Sequence, residues 1–149
     1  TKSAIGQLER LMAKEGETSG TLALLGRMLA QSGAENLAEL RLRRALELDP
    51  GSRAAGFELA RILAERGEDR KAKAVLDALL VHHPADPDCL YNLACCLARM
   101  GEREAGLRAL GQAIENGFED LEKFGGDPDL KGIRQSKEFA QLTGHAGAI

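Results

Sequence analysis

A spacing of 34 residues recurs three times along this chain, and no other feature limits its fold so strongly. Within 53–86, Leu59, Ala60 and Leu63 fall on one helical face, Gly67 interrupts it, Ala72, Leu76, Leu79 and Leu80 rebuild an apolar face, and Pro84 closes the unit. One spacing earlier the same places hold Leu25, Gly26, Leu29, Gly33, Ala38, Leu42, Ala45, Leu46 and Pro50. One spacing later they hold Leu93, Ala94, Leu97, Gly101, Gly106, Leu110, Ala113 and Ile114, with Phe118 where the proline stood. Each unit predicts two antiparallel helices, with small residues where the helices approach closely. Gly33, Gly67 and Gly101 share one phase, which predicts a left-handed residue just past each first helix, where a Cβ is disfavoured.

On these residues the chain resembles the tetratricopeptide repeat family, whose units carry Leu-Gly/Ala-x-x-Tyr early, Ala-x-x-x-Phe later and Pro at the close. The resemblance runs from Ser19 to about Asp120. Leu22, Gly56 and Leu90 stand where the family has Trp, and Leu29, Leu63 and Leu97 where it has Tyr. These are packing positions, so the changes bear on stability more than on fold. The resemblance implies an all-α fold, an α-α superhelix in which antiparallel helix hairpins stack as a right-handed solenoid. The chain then divides into 1–18, a capping helix or truncated repeat; repeats at 19–52, 53–86 and 87–120; and 121–149, a C-terminal capping segment and tail.

Composition agrees with close-packed helices. Hydrophobic residues make up 44% of the 149 but aromatics only 3%, with no Trp, so the core is built from Leu and Ala and a sheet sandwich is disfavoured. The 20 basic and 23 acidic residues are interspersed, which argues against nucleic acid as a partner. Cys89, Cys95 and Cys96 cluster within one predicted helix instead of at framework spacings, which reads as reduced thiols and a cytoplasmic setting. No apolar run approaches the roughly 18 residues that a membrane span needs.

Local signals place the elements. Residues 2–14 carry Ile5, Leu8, Leu11 and Met12 at helical spacing, and Ala4, Leu8 and Leu11 fall where a preceding unit's second helix would put them. The chain opens at Thr1 without Met, which favours a truncated repeat over a cap and leaves room for a removed leader or domain. A cut opening repeat would leave an apolar end able to pair with a second copy. Ser52 and Asp86-Pro87 are helix starts, and Asp69 suits a helix N-terminus. After Asn116, Gly117 to Leu121 is expected to continue as a short helix towards Phe124, and Gly125-Gly126 to break it. Asp127-Pro128 should start a further turn, from which Leu130, Ile133, Phe139 and Leu142 fold back over the last repeat. Residues 143–149 read as a frayed tail.

The sequence carries no arrangement for catalysis. His82-His83 and the cysteines offer no chelating pair at C-x-x-C or H-x-x-x-H spacing, so no metal is expected, and vicinal Cys95-Cys96 on a helix point about 100° apart, against a disulfide. No G-x-S-x-G or glycine-rich phosphate loop is present, so neither an enzyme nor a cofactor is expected.

The resemblance implies instead a concave groove lined by the first helix of each hairpin. Carried onto this chain, the groove positions give Arg27, Phe57, Glu58, Arg61, Tyr91, Asn92, Cys95 and Arg99. Aromatic rings would supply buried area and guanidinium groups would bind carboxylates or carbonyls of a protein or peptide partner. The alternative for the arginines is pairing with Glu58 and Glu65 on a solvated face. Positions used by some family members to grip a chaperone tail hold Ala23, Arg27, Glu58, Asp88 and Asn92, two of them acidic, which disfavours that ligand. The expected function is a non-catalytic scaffold or adaptor. The alternative is a regulatory portion of a larger bacterial enzyme or of a secretion or envelope-assembly protein.

Overall fold

The computed structural model describes residues 2–120 and 126–144, and these contain helices and no strand. The first helices of the repeated units begin at Ser19, Arg53 and Pro87 and the second helices at Glu35, Asp69 and Arg103, each set in steps of 34. The described residues divide into two compact units, one ending at Glu68 and the other beginning at Asp69.

The first unit contains α1 (Lys2–Glu15), α2 (Ser19–Gln31), α3 (Glu35–Leu48) and α4 (Arg53–Glu65). Thr18 caps α2 reciprocally with Thr21, each side chain serving the other's backbone N–H, and Ser52 Oγ accepts from the Ala55 N–H to start α4. At the far end of α2, Gly33 takes φ +86 and donates to the Ala30 carbonyl, while Ala34 donates to the Leu29 carbonyl. This closure satisfies two orphan helix carbonyls and reverses the chain. The same two hydrogen bonds recur at Gly67-Glu68 and at Gly101-Glu102 with equivalent partners. Leu22, Leu25, Leu42, Leu59, Ile62 and Leu63 are fully buried, with Ala38, Ala45 and Ala55 between them. Leu8 and Met12 bring α1 onto α2. Arg66, just past α4, donates to Glu39 at 2.6 Å, Asn36 at 3.1 Å and Glu35 at 3.3 Å, tying that end to α3. The Arg43 hydrogen bond, with help from Arg66, holds the Glu39 carboxyl below its usual range.

The second unit contains α5 (Asp69–His82), α6 (Pro87–Arg99), α7 (Arg103–Glu115), a 3-10 turn at Pro128–Leu130, α8 (Lys131–Arg134) and α9 (Lys137–Thr143). Asp86 caps α6, with Pro87 in the first turn where its missing N–H costs nothing. Cys89 Sγ donates to the Leu76 carbonyl at 3.5 Å, joining α6 to α5. Leu90, Ala94, Leu97, Ala109, Leu110 and Ala113 pack between α6 and α7. Leu130, Ile133 and Phe139 from the C-terminal segment complete this core as expected, whereas Leu142 lies over Gly111 and stays 36% exposed.

Local expectations after Asn116 are corrected. The helix does not run on through 117–120: Gly117 takes φ +97, and Gly117 and Phe118 donate to the Ile114 and Ala113 carbonyls, ending α7. The apolar Phe118 that suggested a continuing stripe is instead buried in the core after the chain has turned. The expected helix towards Phe124 and the break at Gly125 lie outside the described residues, as do residues 145–149. Gly126, expected to break the helix, is itself helical. Thr143, expected in a frayed tail, is buried at the end of α9, with its hydroxyl donating to the Phe139 carbonyl at 2.9 Å.

Close helix approach makes two glycines unequal. A Cβ on Gly26 would meet Leu42 Cγ at 2.5 Å, whereas one on Gly106 would find its nearest neighbours at 3.5 Å. Gly26→Ala should therefore destabilise by about 1–3 kcal/mol through overpacking, despite its better helix propensity. Gly106→Ala should gain up to about 1 kcal/mol. Urea unfolding of both variants checks this; equal effects would contradict the packing described.

Candidate functional site

Helices α2 and α4 pack side by side in the first unit, so side chains one repeat apart on their outer faces can act together. Arg27 is exposed, and among the described residues it has no hydrogen-bond or ion-pair partner. Leu24 beside it is 40% exposed, which leaves apolar surface next to an uncommitted cation. Phe57 is half-buried, with the Arg53 guanidinium 5.1 Å above its ring centroid, a cation–π contact that keeps the ring in place.

Arg61 behaves differently. It donates to Glu65 at 2.7 Å and to Glu58, so the self-paired alternative applies to it. The Glu58 and Glu65 hydrogen bonds outweigh burial and hold its pKa above the usual guanidinium value. A partner would have to compete with two carboxylates for this arginine, but only with water for Arg27.

The third set of expected groove residues is not open. Tyr91 and Cys95 are buried, at 4% and 5% exposure, under residues of the C-terminal segment. Tyr91 stacks on Phe118, with centroids 4.3 Å apart and planes 4° from parallel, and its hydroxyl donates to Asp127 Oδ2 at 2.6 Å. Cys95 Sγ lies 3.8 Å from the same oxygen. Arg99 donates to Asp69 at 2.8 Å, pairs with Asp129 at 2.6 Å and donates to Cys96 Sγ. Only Asn92 of this set is exposed. Tyr91, Cys95 and Arg99 thus hold the chain's own strap, residues 126–144; Tyr91 and Cys95 are closed to solvent, whereas Arg99 is engaged but stays partly exposed.

The strap is shaped for that seat. Asp127 caps the 3-10 turn by accepting from the Asp129 N–H at 3.0 Å, and Arg134 donates back to the Asp127 carbonyl. Ser136 Oγ then caps α9 through the Phe139 N–H at 3.0 Å. Leu130, Ile133 and Phe139 contribute about 1.5–3 kcal/mol each by burial, so the polar latch rests on a larger apolar anchor.

Sequence reasoning missed Asp127 and Asp129 as partners of Tyr91 and Arg99. These pairings span 36 and 30 residues with no periodicity, and the only local signal was the cap at Asp127.

Cys95, Asp127 and Asp129 offer atoms within 4.8 Å of one another, a spacing that could suit an ion. Each is already engaged, Asp127 by the Tyr91 hydroxyl and the Cys95 thiol and Asp129 by the Arg99 guanidinium. Burial, then the two aspartates, push the Cys95 thiol from about 9.0 up to about 12, so it is not a ready thiolate ligand. Burial and the Asp127 bond also raise Tyr91. Among the described residues no helix is long and apolar enough to cross a membrane.

Tetratricopeptide repeat profiles match residues 12–89 and 88–116. The chain is 44% identical over 52 residues to a chloroplastic protein of Arabidopsis thaliana, covering 35% of this chain and 16% of that protein. It is 33% identical over 88 residues to cellulose synthase operon protein C of Pseudomonas fluorescens strain SBW25, covering 59% of this chain and 7% of that protein. The chain therefore spans a small part of each curated relative. Among solved structures, YrrB, described as a tetratricopeptide protein with an unusual peptide-binding site, is 28% identical with a TM-score of 0.66, over 78% of this chain and 60% of its own. MamA is 22% identical with a TM-score of 0.75, over 95% and 83%, and its form from residue 41 to the end, from Desulfovibrio magneticus RS-1, is 21% identical with a TM-score of 0.74, over 96% and 84%. At that identity the likeness to MamA is one of fold.

Two measurements test the latch. Leu130→Ala should destabilise the second unit by about 2–5 kcal/mol and Tyr91→Phe by about 1–3 kcal/mol, as read by urea unfolding. The pH dependence follows from the raised Cys95 pKa. Below pH 9 the thiol is protonated in both folded and unfolded chains; above it the unfolded thiol ionises while the folded one keeps its proton until about pH 12. Stability should hold below pH 9 and fall above it by at most about 1.4 kcal/mol per unit, with Cys95→Ala removing part of the fall. An unchanged alkaline limb in that variant would contradict the buried thiol.

Proposed function

Because the chain belongs to the tetratricopeptide repeat family, we propose that it is a non-catalytic interaction module that holds a protein or peptide segment against the outer face of α2 and α4. The observation that carries this is the contrast between equivalent positions. Leu24, Arg27 and Phe57 are wholly or partly open, while Tyr91 and Cys95 are covered by the strap. A partner segment laid on this face would cover Leu24 and part of Phe57 and give Arg27 a carboxylate or carbonyl. Arg61, Glu58 and exposed Asn92 then rank below Arg27 and Phe57 as contact residues, the first two because they already satisfy each other. The peptide-binding site named for YrrB supports a peptide as the class of ligand.

A second reading treats the chain as the interaction portion of a longer protein, either an enzyme or a secretion or envelope-assembly factor. It is supported by the lengths of the chloroplastic relative and of cellulose synthase operon protein C, of which the matched regions are 16% and 7%. The two readings share the same face and differ in whether the ligand belongs to another molecule.

Affinity capture from the native cell with the intact chain and with Arg27→Ala/Phe57→Ala tests the proposal. The doubly substituted chain should stay folded, with a modestly lower melting temperature from the half-buried Phe57 ring, and recover at least about tenfold less partner, the loss of about 1.4 kcal/mol expected when an aromatic and an arginine contact are truncated. Equal recovery would move the contact elsewhere.

A further inference from the structure

The second unit carries a cleft of about 620 Å³ between the C-terminal end of α6, the start of α7 and the strap, lined in part by Ala98, Arg99, Arg103, Asp129, Lys131 and Gly132. This size falls in the range of sites that hold small ligands or a few residues of chain. Its charges are not balanced. Arg99 and Asp129 pair across the inner wall, whereas Arg103 and Lys131 are exposed and, among the described residues, have no ion-pair or hydrogen-bond partner. Two uncommitted cations are thus held at the rim of one concavity, which concentrates positive potential there.

We infer that this cleft is a second docking site, for an acidic segment of a partner protein. The inference rests on the interaction-module reading but uses none of the residues on α2 and α4. Charge complementarity sets the occupant. A segment carrying acidic residues would place one carboxylate on Arg103, where the guanidinium fork can bind it bidentately, and one on Lys131. Gly132 lies so close to α6 that a Cβ there would stand 3.3 Å from the Ala98 carbonyl oxygen, so strap and helix meet without side chains between them. Asp129 sets the depth, because its carboxylate repels any acidic group pushed beyond the rim. The cleft exists only because the strap is seated, since Asp129, Lys131 and Gly132 belong to it.

The test uses the full chain, labelled with 15N, titrated at low ionic strength with an acetylated and amidated Glu-Glu-Ala-Glu-Glu peptide. Amide shifts are expected at Arg103, Lys131 and Gly132, saturating and weakening with salt. Arg103→Glu/Lys131→Glu should weaken the peptide about tenfold and gain binding to Lys-Lys-Ala-Lys-Lys, the gain appearing as amide shifts at positions 103, 131 and 132 of an otherwise folded spectrum. Arg27→Ala/Phe57→Ala should leave the titration unchanged, which separates this site from the face on α2 and α4. Shifts confined to α2 and α4, equal shifts from inorganic phosphate at matched ionic strength, or no response to the charge reversal would each overturn the inference.

Discussion

A helix hairpin can bury its apolar stripes only if the chain reverses within two or three residues, and in the α2–α3 and α6–α7 hairpins that reversal depends on backbone closure at a left-handed glycine. Gly33, Gly67 and Gly101 have φ between +76 and +86, and the amides of each glycine and its successor bond back to the preceding helix. Any other residue at these places would carry the strain of a Cβ in the left-handed region. The caps at Thr18, Ser52 and Asp86 mark the opposite ends in the same step. With both ends of each first helix pinned, alanine and glycine need only appear where helices touch, and Leu fills the rest.

A repeated hairpin carries an apolar flank meant for a neighbour, so the last one in a described series must be covered by something else. In the second unit the strap covers it. Leu130, Ile133 and Phe139 supply most of the free energy, and the Tyr91–Asp127 and Arg99–Asp129 contacts fix the register in which they seat. This changes the meaning of residues that would otherwise be ligand contacts. Tyr91, Cys95 and Arg99 hold a segment of their own chain, while the equivalent helices α2 and α4 keep Arg27 exposed and Phe57 half-buried.

Most of the fold was legible because it is periodic. The helix starts, the glycine closures and the apolar residues of the strap all repeat or stand at helical spacing, and the structure has them in place. Arg61 pairing with Glu58 and Glu65 was legible for the same reason, being three and four residues apart on one helix. The covering of Tyr91 and Cys95 was not, because contacts between residues 91 and 127 or 99 and 129 have no spacing rule. The helix drawn past Asn116 failed on a local ambiguity: Phe118 fits an apolar stripe, yet Gly117 had already ended the helix, and the ring serves the core from outside it. A site defined by position in a repeat is therefore legible only as far as no other segment of the chain claims it.

Native-state hydrogen exchange on the intact chain tests the central claim, that the strap is a seated part of the second unit and closes the face of α6. The amides of Leu130, Ser136 and Ala140, which donate to Asp127, Ile133 and Ser136, should be protected to within about 1–2 kcal/mol of the α6 core amides, as members of one cooperative unit. Free exchange of these amides while those of α6 stay protected would show a strap that opens independently, and Tyr91, Cys95 and Arg99 would again be available to a partner.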